Sequence, residues 1–225
     1  MTLTASRALA ETRTAWHRVA EHVLAAAQFT DAGTIRLRPF PGGFATTAGF
    51  RGRLLAVVAD RMLIVEGADF DVRPLTTLRA AGASVGVPPG LRGSYSPATS
   101  ADPDEPLRID VASARRLADW FALGEAALRD FAGQLGHSGA PVLWPEHFDL
   151  GITVDDVNYG VSPGDEAMAE PYLYVGPHEG PPSDGGFWNA PFGAAAPAGR
   201  ITTQDDAVTF FSEGRHQVLT ERSRT

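Results

Sequence analysis

The stretch that decides the fold is residues 144–175, WPEHFDLGITVDDVNYGVSPGDEAMAEPYLYV. Its centre alternates. Phe148, Leu150, Ile152 and Val154 are interleaved with Asp149, Gly151, Thr153 and Asp155. Val157, Tyr159 and Val161 are interleaved with Asn158, Gly160 and Ser162. A period of two is the pattern of a half-buried strand. A two-residue turn at Asp155-Asp156 then sets the register, because a slip by one residue would send every apolar side chain to the wrong face. Val154 faces Val157, Ile152 faces Tyr159 and Leu150 faces Val161, so all six apolar residues share one face.

The other face pairs Thr153 with Asn158, Gly151 with Gly160, and Asp149 with Ser162, and His147 extends the same row. Two glycines opposite one another leave a hole in the side-chain layer, and glycine inside a strand often marks close approach of a ligand or of another part of the chain. The polar rim makes the hole a candidate floor for a small polar ligand: His147, Asp149, Gly151, Thr153, Asn158, Gly160 and Ser162. The plainer alternatives are a helix or loop packed into the gap, or a solvated face. His147 and Asp149 also point the same way, and Asp165, Glu166, Glu170 and His178 follow in adjacent loops. Histidine with carboxylates suits a divalent metal, which gives His147, Asp149, Asp165, Glu166 and His178 as candidate ligands. No H-x-x-x-H or H-E-x-x-H spacing supports that set, and GDEAMAE also reads as a surface acidic loop.

Working outward, residues 16–27 carry Trp16, Val19, Ala20, Val23, Leu24 and Ala27 on one helical face, with Gly33 as a natural stop. His17, Glu21 and His22 lie beside that stripe. They are expected on a solvated edge, with a metal site in a helical bundle as the sharper alternative. Residues 34–73 change to period two and read as an antiparallel meander of three to five strands, with a tight connection at Asp60-Arg61 and a PGGF turn at residues 41–44. Thr76 is expected to cap a short helix reaching Val85.

Residues 86–106 contain five prolines and three glycines and form either a linker or a long surface loop. A helix follows over residues 111–135, with a stripe of Leu117, Trp120, Phe121, Gly124, Leu128, Phe131 and Leu135. A last helix starts near Thr203, with Thr203 and Asp206 as a capping pair and a fraying Arg-containing tail. The expected fold is α+β, antiparallel sheet or sheets covered by three long helices and one short helix. It is one domain, or two lobes (1–85 and 107–225) joined by 86–106.

Composition removes several chemistries. The chain has 225 residues, a net charge of −8 and no cysteine. Disulfides, thiol nucleophiles and Cys-ligated metals are excluded. All 19 basic residues are arginine. Without lysine there is no pyridoxal-phosphate (PLP) anchor, no Schiff-base nucleophile and no P-loop nucleotide site. The negative charge argues against nucleic acid as a partner. Arg36, Arg38, Arg51 and Arg53 are the nearest approach to a basic patch. No apolar run approaches the ~20 residues that span a bilayer, so no membrane partner is expected and a cytoplasmic setting is. Gly160-Val161-Ser162-Pro163-Gly164 fits the G-x-S-x-G elbow in letters only, because proline at 163 has no N–H for an oxyanion hole.

Four segments resemble a bacterial, actinobacterial-type protein family of unknown function: residues 144–150 (WPEHFDL), 162–165 (SPGD), 170–174 (EPYLY), and Phe187-Trp188 ahead of a closing helix. Members of that family place a longer insertion between the Phe-Asp strand and the Ser-x-Gly segment, where this chain has only Asp155-Asp156. The resemblance implies no activity and transfers no site residue. The expectation is a small-molecule-binding protein with a carboxylate- and histidine-lined site on the 147–178 face. The alternatives are a metal-assisted hydrolase or lyase at the same site, and a protein–protein interaction module built on Phe187, Trp188 and Phe192.

Overall fold

The alternating stretches fold as antiparallel strands and the apolar-periodic stretches as helices, the α+β class expected. The computed structural model describes residues 3–91, 96–182 and 185–223, so Arg224 of the expected tail lies outside the described residues. The chain divides into two compact units, Met1–Asp119 with Leu143–Phe148, and Trp120–Val142 with Asp149–Thr225.

In the first unit, helix α1 (Leu3–Val19) runs through a π-helical stretch, Ala20–Ala25, into α2 (Ala26–Ala32). Gly33 ends it in the left-handed conformation, φ 66°, as the sequence suggested. The meander has five strands: β1 (Leu37–Phe40), β2 (Gly43–Thr46), β3 (Leu54–Val58), β4 (Arg61–Glu66) and β5 (Asp69–Pro74). Leu143 of β6 (Val142–Trp144) pairs with Leu37 on the other side of β1. The β3–β4 connection is Ala59-Asp60, one residue earlier than expected, with Ala59 at φ 49°. The PGGF segment is a packed turn: a Cβ on Gly43 would lie 1.9 Å from the Val57 carbonyl oxygen. Trp16 meets Phe44 edge-on at 5.4 Å and donates its Nε1–H to Ala59 O at 2.9 Å, joining helix to sheet. Helix α3 (Leu78–Val85) is capped by Thr77, whose side chain accepts from Ala80 N, rather than by Thr76. Each of the four arginines lies over an aromatic ring. Arg36 lies over Trp144, Arg38 over Phe40, and both Arg51 and Arg53 over Phe50.

One expectation about this unit is corrected. Glu21 and His22 do not sit on a solvated edge; both are fully buried. Glu21 accepts from Ala98 N (2.9 Å), Thr99 N (2.9 Å) and Thr99 Oγ1 (2.5 Å). The donors to Glu21 come from the 86–106 stretch, which falls within the first unit. Its described part is a strap on the first unit: Arg18 donates to Ser100 O and Asp102 O, and Leu107 N donates to Thr76 O. A buried carboxylate needs such donors, and the strap supplies them as backbone N–H groups.

The second unit carries β7 (Asp149–Val154), β8 (Val157–Ser162), β9 (Tyr172–Pro177) and β10 (Ala194–Pro197), each antiparallel to the next. The hairpin register matches the sequence reading: Val154 opposes Val157, Ile152 Tyr159, Gly151 Gly160 and Leu150 Val161. Asp155 and Asp156 both have positive φ, 52° and 61°, the type I′ turn whose twist suits a two-residue hairpin. Helix α4 (Val111–Gln134) begins in the first unit and continues here, and α5 (Gln204–Arg222) starts from the Thr203–Asp206 capping box. Phe131, Tyr159 and Phe211 form the aromatic centre, with ring centroids 4.7–6.1 Å apart. Gly124 and Gly214 let the helices approach the sheet. A Cβ at either would lie 2.4 Å and 2.8 Å, respectively, from the side chains of Val161 and Val175.

Candidate functional site

The polar face of β7–β8–β9 carries an open groove of about 470 Å³, wholly within the second unit. Its walls are Tyr172, Tyr174 and Phe192, and Asp149 and Asn158 form its floor. The turn after β9, with His178 and Gly180, makes the rim. Strand register explains the walls. Gly160 pairs with Tyr174 and Ser162 with Tyr172, so both tyrosines rise from the face that bears Asp149. Phe192 reaches them from the loop before β10, which a two-way backbone bridge between Ala190 and Gly193 closes. The three ring centroids are 6.3–6.4 Å apart.

The gap left by Gly151 and Gly160 is filled. A Cβ on Gly160 would lie 2.3–2.5 Å from Cζ, Oη and Cε1 of Tyr174, and one on Gly151 would lie 3.2 Å from Tyr174 Oη. The glycines let the Tyr174 ring lie across the hairpin. Its hydroxyl donates to Asp149 Oδ2. Burial, reinforced by the Asp149 charge, holds the Tyr174 phenol well above its ordinary pKa. Burial and the hydrogen bond to Asp165 do the same for Tyr172. Both phenols stay protonated donors at neutral pH, so neither is a general base there.

Of the residues singled out in the sequence, the structure brings Asp149, Asn158 and His178 together in the groove. Asn158 Oδ1 accepts from Thr153 Oγ1 at 2.7 Å and lies 3.1 Å from His178 Nε2. Ser162 is buried, and its Oγ accepts from Gly164 N at 3.1 Å. Asp165 closes its own loop by accepting from Ala167 N and Met168 N, and it takes the Tyr172 hydroxyl at 2.6 Å.

The five-residue metal set is corrected: among the described residues, no group of three His, Asp or Glu is placed to hold a metal ion. Glu166 is exposed, Asp165 is engaged by its loop, and His147 is an exposed residue of the first unit. His147 does not extend the Asp149 row, because residues 145–148 form a turn in which Phe148 N donates to Trp144 O and Phe148 has φ 52°. Phe148 turns back to stack on His17 at 5.3 Å.

The sequence alone does not place Tyr172, Tyr174 and Phe192 in the groove. The alternation of YLYV puts the two tyrosines on one face. Placing them over Gly160 needs the β8–β9 register, which a loop of residues 163–171 does not fix. The aromatic segment 187–192 also divides. Trp188 is buried, Phe187 packs on Phe210 at 5.2 Å, and only Phe192 is exposed, over the groove.

The fold and the site define an α+β protein with an aromatic-walled, acid-floored groove on an antiparallel sheet. No family model, curated protein or solved structure matches the chain. Among the described residues, no helix is long and apolar enough to cross a membrane.

Proposed function

We propose that the groove binds a small organic ligand carrying a cationic group, such as a quaternary or protonated amine. One observation carries this reading. Among the described residues, the groove lining combines three aromatic rings with one carboxylate, Asp149, and no arginine. Aromatic faces attract cations through the ring quadrupole, and a carboxylate alongside adds charge while disfavouring anions. The volume, about 470 Å³, suits a metabolite-sized ligand. Tyr174 holds the Asp149 carboxylate in place, which lowers the ordering cost of binding. A metal-assisted hydrolase or lyase at the same place lacks a three-ligand group among the described residues. An interaction module on residues 187–192 retains only Phe192 as an exposed ring.

The test is isothermal titration with tetramethylammonium and choline chlorides against sodium acetate at equal ionic strength. The cations are expected to bind and acetate is not. Asp149→Asn, which keeps an acceptor for Tyr174, is expected to weaken cation binding at least tenfold. Preferential acetate binding, no binding by either cation, or cation binding indifferent to Asp149→Asn overturns the reading.

A further inference from the structure

We propose that the outer edge of β5 is a self-pairing surface, and that two copies of this chain associate through it as antiparallel neighbours centred on Val72. The six residues of β5, DFDVRP, are all exposed, and Phe70 and Val72 are 70% and 45% accessible. The strand ends the sheet of its unit: it pairs with β4, and among the described residues no strand lies on its other side. An edge with exposed apolar side chains is a template for strand addition.

The hydrogen-bonding parity of that edge is set. β4 and β5 are joined by the two-residue turn Gly67-Ala68, so Glu66 and Asp69 form the bonded pair next to it. At the far end Leu75 N donates to Asp60 O at 2.9 Å, which keeps the same parity. Asp69, Asp71 and Arg73 therefore bond inward to β4. The N–H and C=O groups of Phe70 and Val72, and the C=O of Pro74, point outward. A two-fold pairing centred on Val72 joins Val72 to its own copy through two hydrogen bonds. It also sends each Phe70 N–H to the Pro74 carbonyl of the other copy. Pro74 offers no N–H in return and ends the ladder.

Charge selects this register over its neighbours. Centred on Val72, Asp71 of each copy faces Arg73 of the other. Centred on Phe70, Asp69 would face Asp71; centred on Asp71, Asp71 would face itself. Opposite charges across a strand pair stabilise it and like charges destabilise it. Side chains agree as well. Leu63 lies opposite Val72 and Val65 opposite Phe70. Pairing would extend those rows into Leu63–Val72–Val72–Leu63, and would set Phe70 beside the Pro74 of the second copy. A second copy is thus the partner whose edge matches in hydrogen bonding, charge and apolar rows at once.

The experiment is sedimentation velocity over a concentration series from about 5 to 500 μM, a range that brackets micromolar association. The expected result is a reversible monomer–dimer equilibrium. Val72→Pro removes an outward N–H without touching the β4 ladder and is expected to weaken dimerisation at least tenfold. Asp71→Arg places two arginines opposite two and is expected to do the same, while Asp71→Arg combined with Arg73→Asp restores the dimer. A monomer throughout the series overturns the proposal. So does a dimer unchanged by Val72→Pro, or a double charge swap that fails to restore what Asp71→Arg removed. If near-UV circular dichroism shows Asp71→Arg unfolded, Val72→Pro decides alone.

Discussion

Replacing Gly160 by alanine tests the central packing claim about the groove. In an ordinary strand this change stabilises by roughly 0.5–1 kcal/mol, because glycine has more backbone freedom to lose. Here the new Cβ would sit 2.3 Å from Tyr174 Cζ and 2.4 Å from its Oη. Restoring van der Waals contact requires the ring to retreat by about 1 Å. That displacement breaks the hydrogen bond from Tyr174 to Asp149, a bond to a charged acceptor worth about 1.5–3 kcal/mol. Overpacking adds about 1–3 kcal/mol. After the glycine offset the net loss is about 1.5–5.5 kcal/mol, a fall in Tm of roughly 3–20 °C. Urea unfolding followed by tryptophan fluorescence reads it. The decisive comparison is a double-mutant cycle with Tyr174→Ala, in which the clash partner is gone and Gly160→Ala should become neutral or stabilising. Should Gly160→Ala be harmless alone, or cost the same with Tyr174 removed, the ring does not lie over the glycine pair.

Three further outcomes follow from the same structure. Gly124→Ala, although it raises helix propensity, should destabilise by about 1–3 kcal/mol, because its Cβ would lie 2.4 Å from Val161 Cγ2; adding Val161→Ala should recover most of the loss in thermal melts. His17 and His22 have pKa values lowered below 6.5, chiefly by burial, so the unfolded chain takes up protons first as pH falls. Their contribution to stability should be complete above 6.5 and decline as pH drops through and below it. Urea midpoints from pH 7.5 to 5 should fall less steeply in His22→Gln than in the wild type. Dialysis against a chelator should leave Tm unchanged, since no three-ligand group occurs among the described residues; a drop of several degrees would show a metal the geometry does not account for.

The sequence by itself determined the elements whose information is local. Period-two alternation and the Asp155-Asp156 turn specify the β7–β8 register, because only one pairing puts six apolar side chains together. Gly33 and the Thr203–Asp206 pair mark helix ends, because caps are read within four residues. Tertiary structure decided what depends on partners distant in the chain. Glu21 and His22 look like a solvated edge by periodicity. They are buried because residues 98 and 99, about eighty positions away, bring the donors that make a buried carboxylate tolerable. The paired glycines on the hairpin signalled a close approach, which is a local fact. That Tyr174 makes the approach is not local, because it requires the β8–β9 register across a nine-residue loop. The groove exists only once that ring, Tyr172 and Phe192 converge over Asp149.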